Sequence, residues 1–323
     1  MRAVQVHTLG SPRDLQFVDV VLAPPGKGEI AIDVHAAGVN FPDALMVQGK
    51  YQTKPPLPFT LGVEVAGVVT ALGEGVRDVA VGDRVAALPR SGGFAEAAIC
   101  GAHSAVVLPD AVDFVTGAAM LMTYGTAYHG LVDRGHVKEG ERVAVTGAGG
   151  GVGTAAVDIA SGLGARTIAI VGSEAKREAA LHAGATNAVV AAAELANALK
   201  ELAGGLDVLL DNVGGDVFDA ALRALDWNGR ALIVGFAGGR IPEIPANRLL
   251  LRETSAVGVY WGPWTEKQPA HNRANFAAMF AMMADGKLHP KAHERFAFDD
   301  VPLAMEAMMG RTLVGKAVVV VRE

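Results

Sequence analysis

The segment VAVTGAGGGVGTAAVDIA, Val143–Ala160, sets three glycines at a regular spacing of three between an apolar run and an Ala-rich run. A backbone that reverses this tightly and comes close to another group has no room for a Cβ, so Gly147, Gly150 and Gly153 stand where glycine is needed. The helix that follows aims the unpaired N–H groups of its first turn back at the loop, which makes a cradle for a pyrophosphate. Gly151 and Val152 lie inside the same turn and join the candidate phosphate contacts. A Gly-rich triplet alone equally describes a tight strand–helix turn, so the surrounding pattern has to decide.

That pattern is an alternation of apolar strands and helices. Strands are expected at Arg142–Thr146, Thr167–Val171, Ala188–Val190, Asp207–Asp211, Arg230–Phe236 and Ala256–Tyr260. Helices are expected at Val152–Leu163, Glu174–Ala183, Ala193–Ala203 and Val217–Ala224. Continuous apolar strands separated by helices predict a parallel sheet covered on both faces, an α/β Rossmann-type doubly wound fold that binds a dinucleotide. From Met1 to about Pro109 the texture differs, with short β-rich runs (RAVQV, EIAIDVHAAGV, EVAGVVTAL, DRVAAL) broken by Gly and Pro. The tail carries an Ala- and Met-rich helix near Asn275–Ala284, a helix near Val301–Met309 and a last strand at Gly315–Val321. The tail is expected to complete the β-rich domain, giving domains of 1–122 with 261–323 and of 123–260. Met279, Met282 and Met283 read as core packing.

Several function classes are excluded early. The formal net charge is −6, which disfavours nucleic acid and anionic membranes as partners. No apolar run reaches the ~18 residues a membrane helix requires. Cys100 is the only cysteine, so neither an internal disulfide nor a zinc site of several thiolates is available. The MRAVQVHTLG start does not read as a secretory signal, and a cytoplasmic location is expected.

Cofactor preference is expected at the end of the second parallel strand, about 20 residues past the glycines. The chain there reads Val171-Gly172-Ser173-Glu174-Ala175-Lys176-Arg177. Gly172 takes the position where an acidic residue would bind ribose hydroxyls, and Ser173, Lys176 and Arg177 offer a hydroxyl and two cations to a 2′-phosphate. The expected cofactor is therefore NADPH. The alternative is that Lys176 and Arg177 form a solvated helix face, with Glu174 opposing an anion.

Taken with these features, AAGVNFPDALMVQGKYQ (Ala36–Gln52), LGVEVAGVV (Leu61–Val69), MLMTYGTAYHGL (Met120–Leu131) and DNVGG (Asp211–Gly215) resemble the medium-chain dehydrogenase/reductase superfamily, and within it the zinc-free NADPH:quinone oxidoreductases. The resemblance covers essentially the whole chain and implies that the β-rich part is a GroES-like catalytic domain. Zinc alcohol dehydrogenases of the superfamily carry Cys at the position of Asn40 and His at that of Val63, and the four-cysteine lobe is absent here, so no metal is expected. Glu64 then reads as a buried structural carboxylate. The resemblance also implies that Asn40 lies beside the nicotinamide and Thr126 near its ribose. Further cofactor contacts are implied at Asn212, Val213 and Gly214, at Phe236 and Ala237, at Val259 and Tyr260, and at Gly315 and Lys316. Val189–Ala193 stands where relatives often place a Tyr against the 2′-phosphate, which leaves that task to Ser173, Lys176 and Arg177.

Candidate substrate-pocket residues are Asn40, Asp43, Tyr51 and Tyr124, with Asn40 as a donor to the substrate oxygen and Tyr51 as donor or proton relay. Each has a structural alternative: Asn40 closing a turn, Asp43 capping a helix, the tyrosines packing with satisfied hydroxyls. Reducing a quinone or enone needs no Lewis acid, because the negative charge spreads onto a distal oxygen. The expected activity is hydride transfer from NADPH to a small quinone or similar conjugated carbonyl. The alternatives are an enoyl reductase for an acryloyl-CoA-like thioester and an NADPH-binding redox sensor. Apolar residues at Ala256–Tyr260 and family habit suggest a homodimer.

Overall fold

The computed structural model describes residues 1–52 and 54–322. Strands β1 (Arg2–Val6) and β2 (Gln16–Asp19) precede the long strand β3 (Glu29–Val39). Helix α1 (Phe41–Val47) follows, then β4 (Phe59–Thr60), β5 (Val65–Leu72), β6 (Arg84–Ala87), β7 (Ala97–Gly101) and β8 (Ala105–Val107). Helix α2 (Phe114–Tyr128) leads through a π-helical turn at His129–Arg134 to an alternating region. That region runs β9 (Arg142–Thr146), α3 (Gly151–Gly162), β10 (Arg166–Val171), α4 (Glu174–His182), β11 (Asn187–Val190), α5 (Leu195–Ala203) and β12 (Leu206–Asp211). It continues with α6 (Gly215–Leu222), β13 (Leu225–Ile233), α7 (Ala246–Arg252) and β14 (Ser255–Gly258). Helices α8 (Trp261–Lys267) and α9 (Pro269–Ala284), strand β15 (Glu294–Ala297), helix α10 (Val301–Met309) and strand β16 (Ala317–Val320) end the chain.

These elements form two compact units, one of Met1–Met122 with the chain from Lys291 onward, the other of Thr123–Pro290. In the first unit β3 is the organising strand. Its alternating and then continuous apolar residues pair antiparallel with β5, β7 and β16, with bulges between Ala31 and Ile32 and between Val34 and Ala36. Such bulges bend a strand and re-aim its side chains. The core around it is aliphatic, with Ile30, Ile32, Val65, Val85 and Val319 fully buried.

The second unit is a six-stranded parallel sheet in the order β11-β10-β9-β12-β13-β14. Val143, Ala144 and Val145 of β9 have no exposed surface, as expected of a central strand covered on both faces. Strand β13 starts five residues before the expected Arg230 and stops at Ile233. Within it Asn228 takes a positive φ of 59°, and the strand's register against β12 shifts between Leu206 and Val208.

Residues 261–290 pack with the second unit, not with the first as the tail's texture suggests. The buried Trp261 donates from Nε1 to Asn272 Oδ1 (3.1 Å) and its ring lies against Gly125. Asn275 donates to Asp133 Oδ2 (2.8 Å), and Met279 is fully buried. The apolar and Asn side chains of α8 and α9 find their partners on the π-helical turn and α2, which local sequence pattern does not reveal.

Candidate functional site

Between β9 and α3 the turn is built as the glycines require. Gly147 adopts φ +62°, and a Cβ there would lie 3.1 Å from Val213 Cγ2. Gly150 is the N-cap of α3, and Gly151, Val152 and Gly153 form its first turn, whose amides have no partner within the helix. A Cβ on Gly153 would run into the Gly147 carbonyl oxygen and come within 2.6 Å of Ala148 Cα, so the helix rests directly on the turn. A Cβ on Gly149 would strike the stem of Lys176, with Cγ at 2.8 Å and Cδ at 3.1 Å. The Lys176 side chain therefore lies across the glycine turn.

Gly172 and Ser173 are exposed at the end of β10, and space beside Gly172 is open. Ser173 is the N-cap of α4. Arg177, paired with Lys176 in the sequence reading, is turned elsewhere. Its Nε donates to Ala188 O (3.1 Å) and its Nη1 to Glu174 Oε1 (2.7 Å). One position along a helix is a rotation of about 100°, so adjacent cations face different ways. Among the two, Lys176 is the one placed at the turn, and the opposing charge of Glu174 is met by Arg177.

The DNVGG segment is held from within. Buried Asp211 accepts from Thr146 Oγ1 (2.5 Å), Val213 N (3.3 Å) and Gly214 N (2.9 Å). Burial pushes its pKa up, against the pull of those donors. Asn212 donates from Nδ2 to Thr146 O (3.0 Å), which ties it to the strand beside it. Gly214, at φ +71°, sits under Phe236, while Ala237 N bonds Asn212 O (3.1 Å). Asn212, Val213, Gly214, Phe236 and Ala237 thus gather beside Gly147. Val259 is buried and bonds Ile233 O from its amide (2.9 Å), whereas Tyr260 caps α8 and is 64% exposed.

Tyr124, expected in a substrate pocket, is committed inside the second unit. Its hydroxyl donates to Asp158 Oδ2 (2.7 Å), and the same oxygen accepts the His289 amide (2.8 Å). Burial and the Asp158 charge hold the phenol well above its ordinary pKa. Thr126 lies half-buried on α2, two residues further on.

The first unit carries the second group of candidates. Strand β16 runs antiparallel to β3 with Ala317 opposite Val39, which sets Lys316 beside Asn40. Lys316 is 3% exposed and makes three hydrogen bonds: to Val39 O (3.1 Å), Asn40 Oδ1 (2.6 Å) and Glu64 Oε2 (2.7 Å). Asn40 donates from Nδ2 to Glu64 Oε2 (2.8 Å) and Gly38 O (3.2 Å). Glu64 Oε1 accepts the Met122 amide (2.6 Å). Gly38 is glycine because a Cβ would meet the Glu64 carboxylate and the Ala118 carbonyl.

The Lys316 ammonium lies in a buried ion pair with Glu64. Gly315, at φ +69°, is packed against the His293 ring. Asn40, expected to hold the cofactor or donate to the substrate oxygen, has both side-chain N–H groups bonded within the first unit. Removing one member of a buried pair such as Lys316–Glu64 leaves an uncompensated charge, at a cost of ~3–5 kcal/mol. The only sequence signal for the pair is a lysine inside the apolar run LVGKAVV.

Asp43 occupies the third position of α1 and accepts the Asn40 amide on Oδ2 (2.9 Å), capping the helix. Its Oδ1 is buried without a hydrogen bond. Burial raises its pKa to about 7, against the lowering effects of the Asn40 amide and of Lys316. Tyr51 packs half-buried against the first unit's core.

The donor set around Asn40 does not fit zinc. Asn40, Val63 and Glu64 present an amide, an alkyl group and one carboxylate, with an ammonium in hydrogen-bond contact with two of them. A zinc site wants thiolates or imidazoles and repels a neighbouring cation. Among the described residues no group of three or more His, Cys, Asp or Glu is placed to hold a metal ion. The glycine turn does fit a dinucleotide, since the positions a Cβ would fill are those against the loop backbone and Lys176.

Two family models match the chain: the alcohol dehydrogenase GroES-like domain over residues 26–126 and the zinc-binding dehydrogenase over 151–279. Quinone oxidoreductase-like protein 2 of Rattus norvegicus is 37% identical over 319 residues, spanning 98% of this chain and 91% of that protein. The native structure of a mycobacterial protein complexed with NADPH superposes with a TM-score of 0.92 at 30% identity, covering 99% of this chain and all of the other. Escherichia coli quinone oxidoreductase complexed with NADPH gives a TM-score of 0.89 at 27% identity, again covering 99% and 100%. No helix among the described residues is long and apolar enough to cross a membrane.

Proposed function

The chain belongs to the quinone oxidoreductase family of the medium-chain dehydrogenase/reductase superfamily, and from that premise we propose that it is a zinc-independent oxidoreductase passing a hydride from NADPH to a small quinone or similar conjugated carbonyl. The observation that carries the reaction class is the ammonium of Lys316 bonded to both Asn40 and Glu64, which fills with a fixed cation the place a metal would need ligands. Chemistry that needs no Lewis acid suits such a site. The position of Lys176 across Gly149, beside the open position at Gly172, supports NADPH over NADH.

NADPH, when bound, supplies the hydride. The first-turn amides of α3 at Gly151, Val152 and Gly153 receive the pyrophosphate, and the missing side chains of Gly147 and Gly150 let it approach. Lys176 pairs with the 2′-phosphate, with Ser173 at the adjoining cap. Val213, Gly214, Phe236 and Ala237 line the approach next to Gly147, and Thr126, Val259 and Tyr260 complete the contacts of this unit. Asn40 acts at the nicotinamide end, and Tyr51 is assigned to the substrate oxygen. Tyr124 and Arg177 are assigned structural roles, on their bonds to Asp158 and to Glu174 and Ala188.

Exposed Leu250 (77%), Leu251 (71%) and Tyr260 (64%) flank the edge strand β14, and this supports a homodimer, which light scattering in solution checks. A reducing cytoplasm suits the single buried Cys100.

The test follows NADPH and NADH oxidation in chelator-treated protein, with 1,4-benzoquinone, 9,10-phenanthrenequinone and crotonyl-CoA as acceptors. Chelator-resistant quinone reduction with NADPH is expected. Turnover confined to crotonyl-CoA would replace the reading with an enoyl reductase. Tight NADPH binding without turnover would replace it with a binding or sensing protein.

A further inference from the structure

The entry of β16 is fastened to the entry of β15 by four hydrogen bonds. His293 N and Glu294 N both donate to Lys316 O (2.7 and 3.2 Å), and Glu294 Oε1 accepts the Val314 amide (2.8 Å). The fourth comes from Lys316 N, which donates to the ring nitrogen Nδ1 of His293 (3.2 Å). Gly315 makes that contact possible. At φ +69° and without a side chain, it leaves the half-buried ring the space a Cβ would fill.

An imidazole nitrogen accepts a hydrogen bond only while it carries no proton. With Nδ1 as the acceptor, neutral His293 keeps its proton on Nε2. The protonated ring has two donors and no acceptor, so its Nδ1–H would face the Lys316 N–H. Lys316 is buried, and a buried amide stripped of its acceptor keeps the full cost of having left water.

We propose that His293 is an acid-released latch: neutral, it fastens the entry of β16 to β15, and protonated, it lets residues 314–316 come away. The device lies wholly in the first unit. The backbone it fastens belongs to Lys316, whose ammonium meets Glu64 Oε2 at 2.7 Å, so the proton acts within one residue of a buried ion pair.

The surroundings of the ring set the sign of the response. Burial lowers the His293 pKa from its ordinary 6.5 and the Lys291 ammonium adds to this, while Glu294 and a bond to the Lys291 backbone pull the other way. From β16 the charged neighbour is Lys316, its ammonium bonded to Glu64. The folded chain thus takes up this proton less readily than the unfolded chain. The contribution of the latch is whole above the ordinary value and is lost as pH falls from there through the lowered one.

The experiment reads hydrogen exchange in the peptide spanning residues 312–318 from pH 8 to pH 4, as protection relative to the peptide spanning β5. Wild type is compared with His293→Asn, whose side-chain oxygen stands near the place of Nδ1 and does not titrate, and with His293→Leu, which offers no acceptor. Glu294 is kept in all three, so a difference between wild type and His293→Asn belongs to the ring. Wild-type protection is expected to fall about tenfold to a hundredfold further than that of His293→Asn, the worth of one buried amide left unpaired. His293→Leu is expected to lack that protection already at pH 8; should it fail to fold, the contrast with His293→Asn still decides. NMR of protein labelled with 15N-histidine, its signal assigned by loss in His293→Asn, is expected at pH 8 to find the proton on Nε2. Protection in wild type that follows His293→Asn across the range, or a proton on Nδ1 at pH 8, would overturn the proposal. Each measurement is made without cofactor or substrate, so its outcome is separate from the NADPH reading above.

Discussion

Replacing Asp43 by Asn should flatten the dependence of stability on pH. In the folded chain the Asp43 carboxyl has a pKa of about 7, against an ordinary value of 3.8, chiefly because it is fully buried. A raised pKa in an acid means that the folded state holds its proton more tightly than the unfolded state. Its contribution is therefore fully present below the ordinary value and is lost as pH climbs toward 7. The gap is about three pKa units, and at ~1.4 kcal/mol per unit the loss approaches roughly 4 kcal/mol at pH 7 and above. The side chain is wholly buried, so no discount for solvent screening applies. Urea unfolding of wild type and of Asp43→Asn at intervals from pH 4 to pH 8 measures this as a difference between two curves, which cancels the titrating groups that do not interact with Asp43. The new amide nitrogen shifts the variant by a constant, so the slope alone carries the test. Parallel curves would show that Asp43 is ionised in the folded protein, and would refute the claim that burial outweighs its amide partner and Lys316.

Other outcomes follow from the same geometry. Lys176→Ala should raise KM for NADPH by about tenfold to a hundredfold and leave NADH nearly untouched, the usual worth of a hydrogen bond to a charged group. Arg177→Ala should leave the NADPH KM within about threefold, since its guanidinium serves Glu174 and Ala188, and steady-state kinetics with both cofactors checks the pair. Gly153→Ala should abolish tight NADPH binding and destabilise the protein by about 1–3 kcal/mol or more, because the new methyl meets backbone that cannot yield; calorimetry reads both. Tyr124→Phe should cost about 1–3 kcal/mol in unfolding by leaving Asp158 short of a donor, with kcat unchanged.

Much of the second unit is legible in sequence because its signals are local. An apolar strand, a glycine turn and an amphipathic or Ala-rich helix each declare themselves within a dozen residues, and β9 falls on Arg142–Thr146 as expected. The glycines carry their own reason, since backbone clearance at Gly147 and Gly153 depends on nearby chain. What pattern does not reveal is direction around a helix and pairing across the chain. Lys176 and Arg177 look alike in sequence but face apart. Asn40, Glu64 and Lys316 belong to α1's cap, the start of β5 and the start of β16, and nothing local links them. The same holds for α8 and α9, whose partners, Asp133 and Gly125, lie on earlier elements.

The pairing of β16 with β3 also fixes an order of assembly. Residues Thr123–Pro290 are continuous in the chain, so the parallel sheet can close as soon as they leave the ribosome. The first unit, begun earlier, must wait: the Ala36–Val39 end of β3 lacks its β16 partner until Ala317–Val320 is made, and Glu64 is without Lys316, which lies 252 positions later. During synthesis the half-built first unit therefore spends the longer time with the Ala36–Val39 edge open and with Glu64 lacking its ammonium partner.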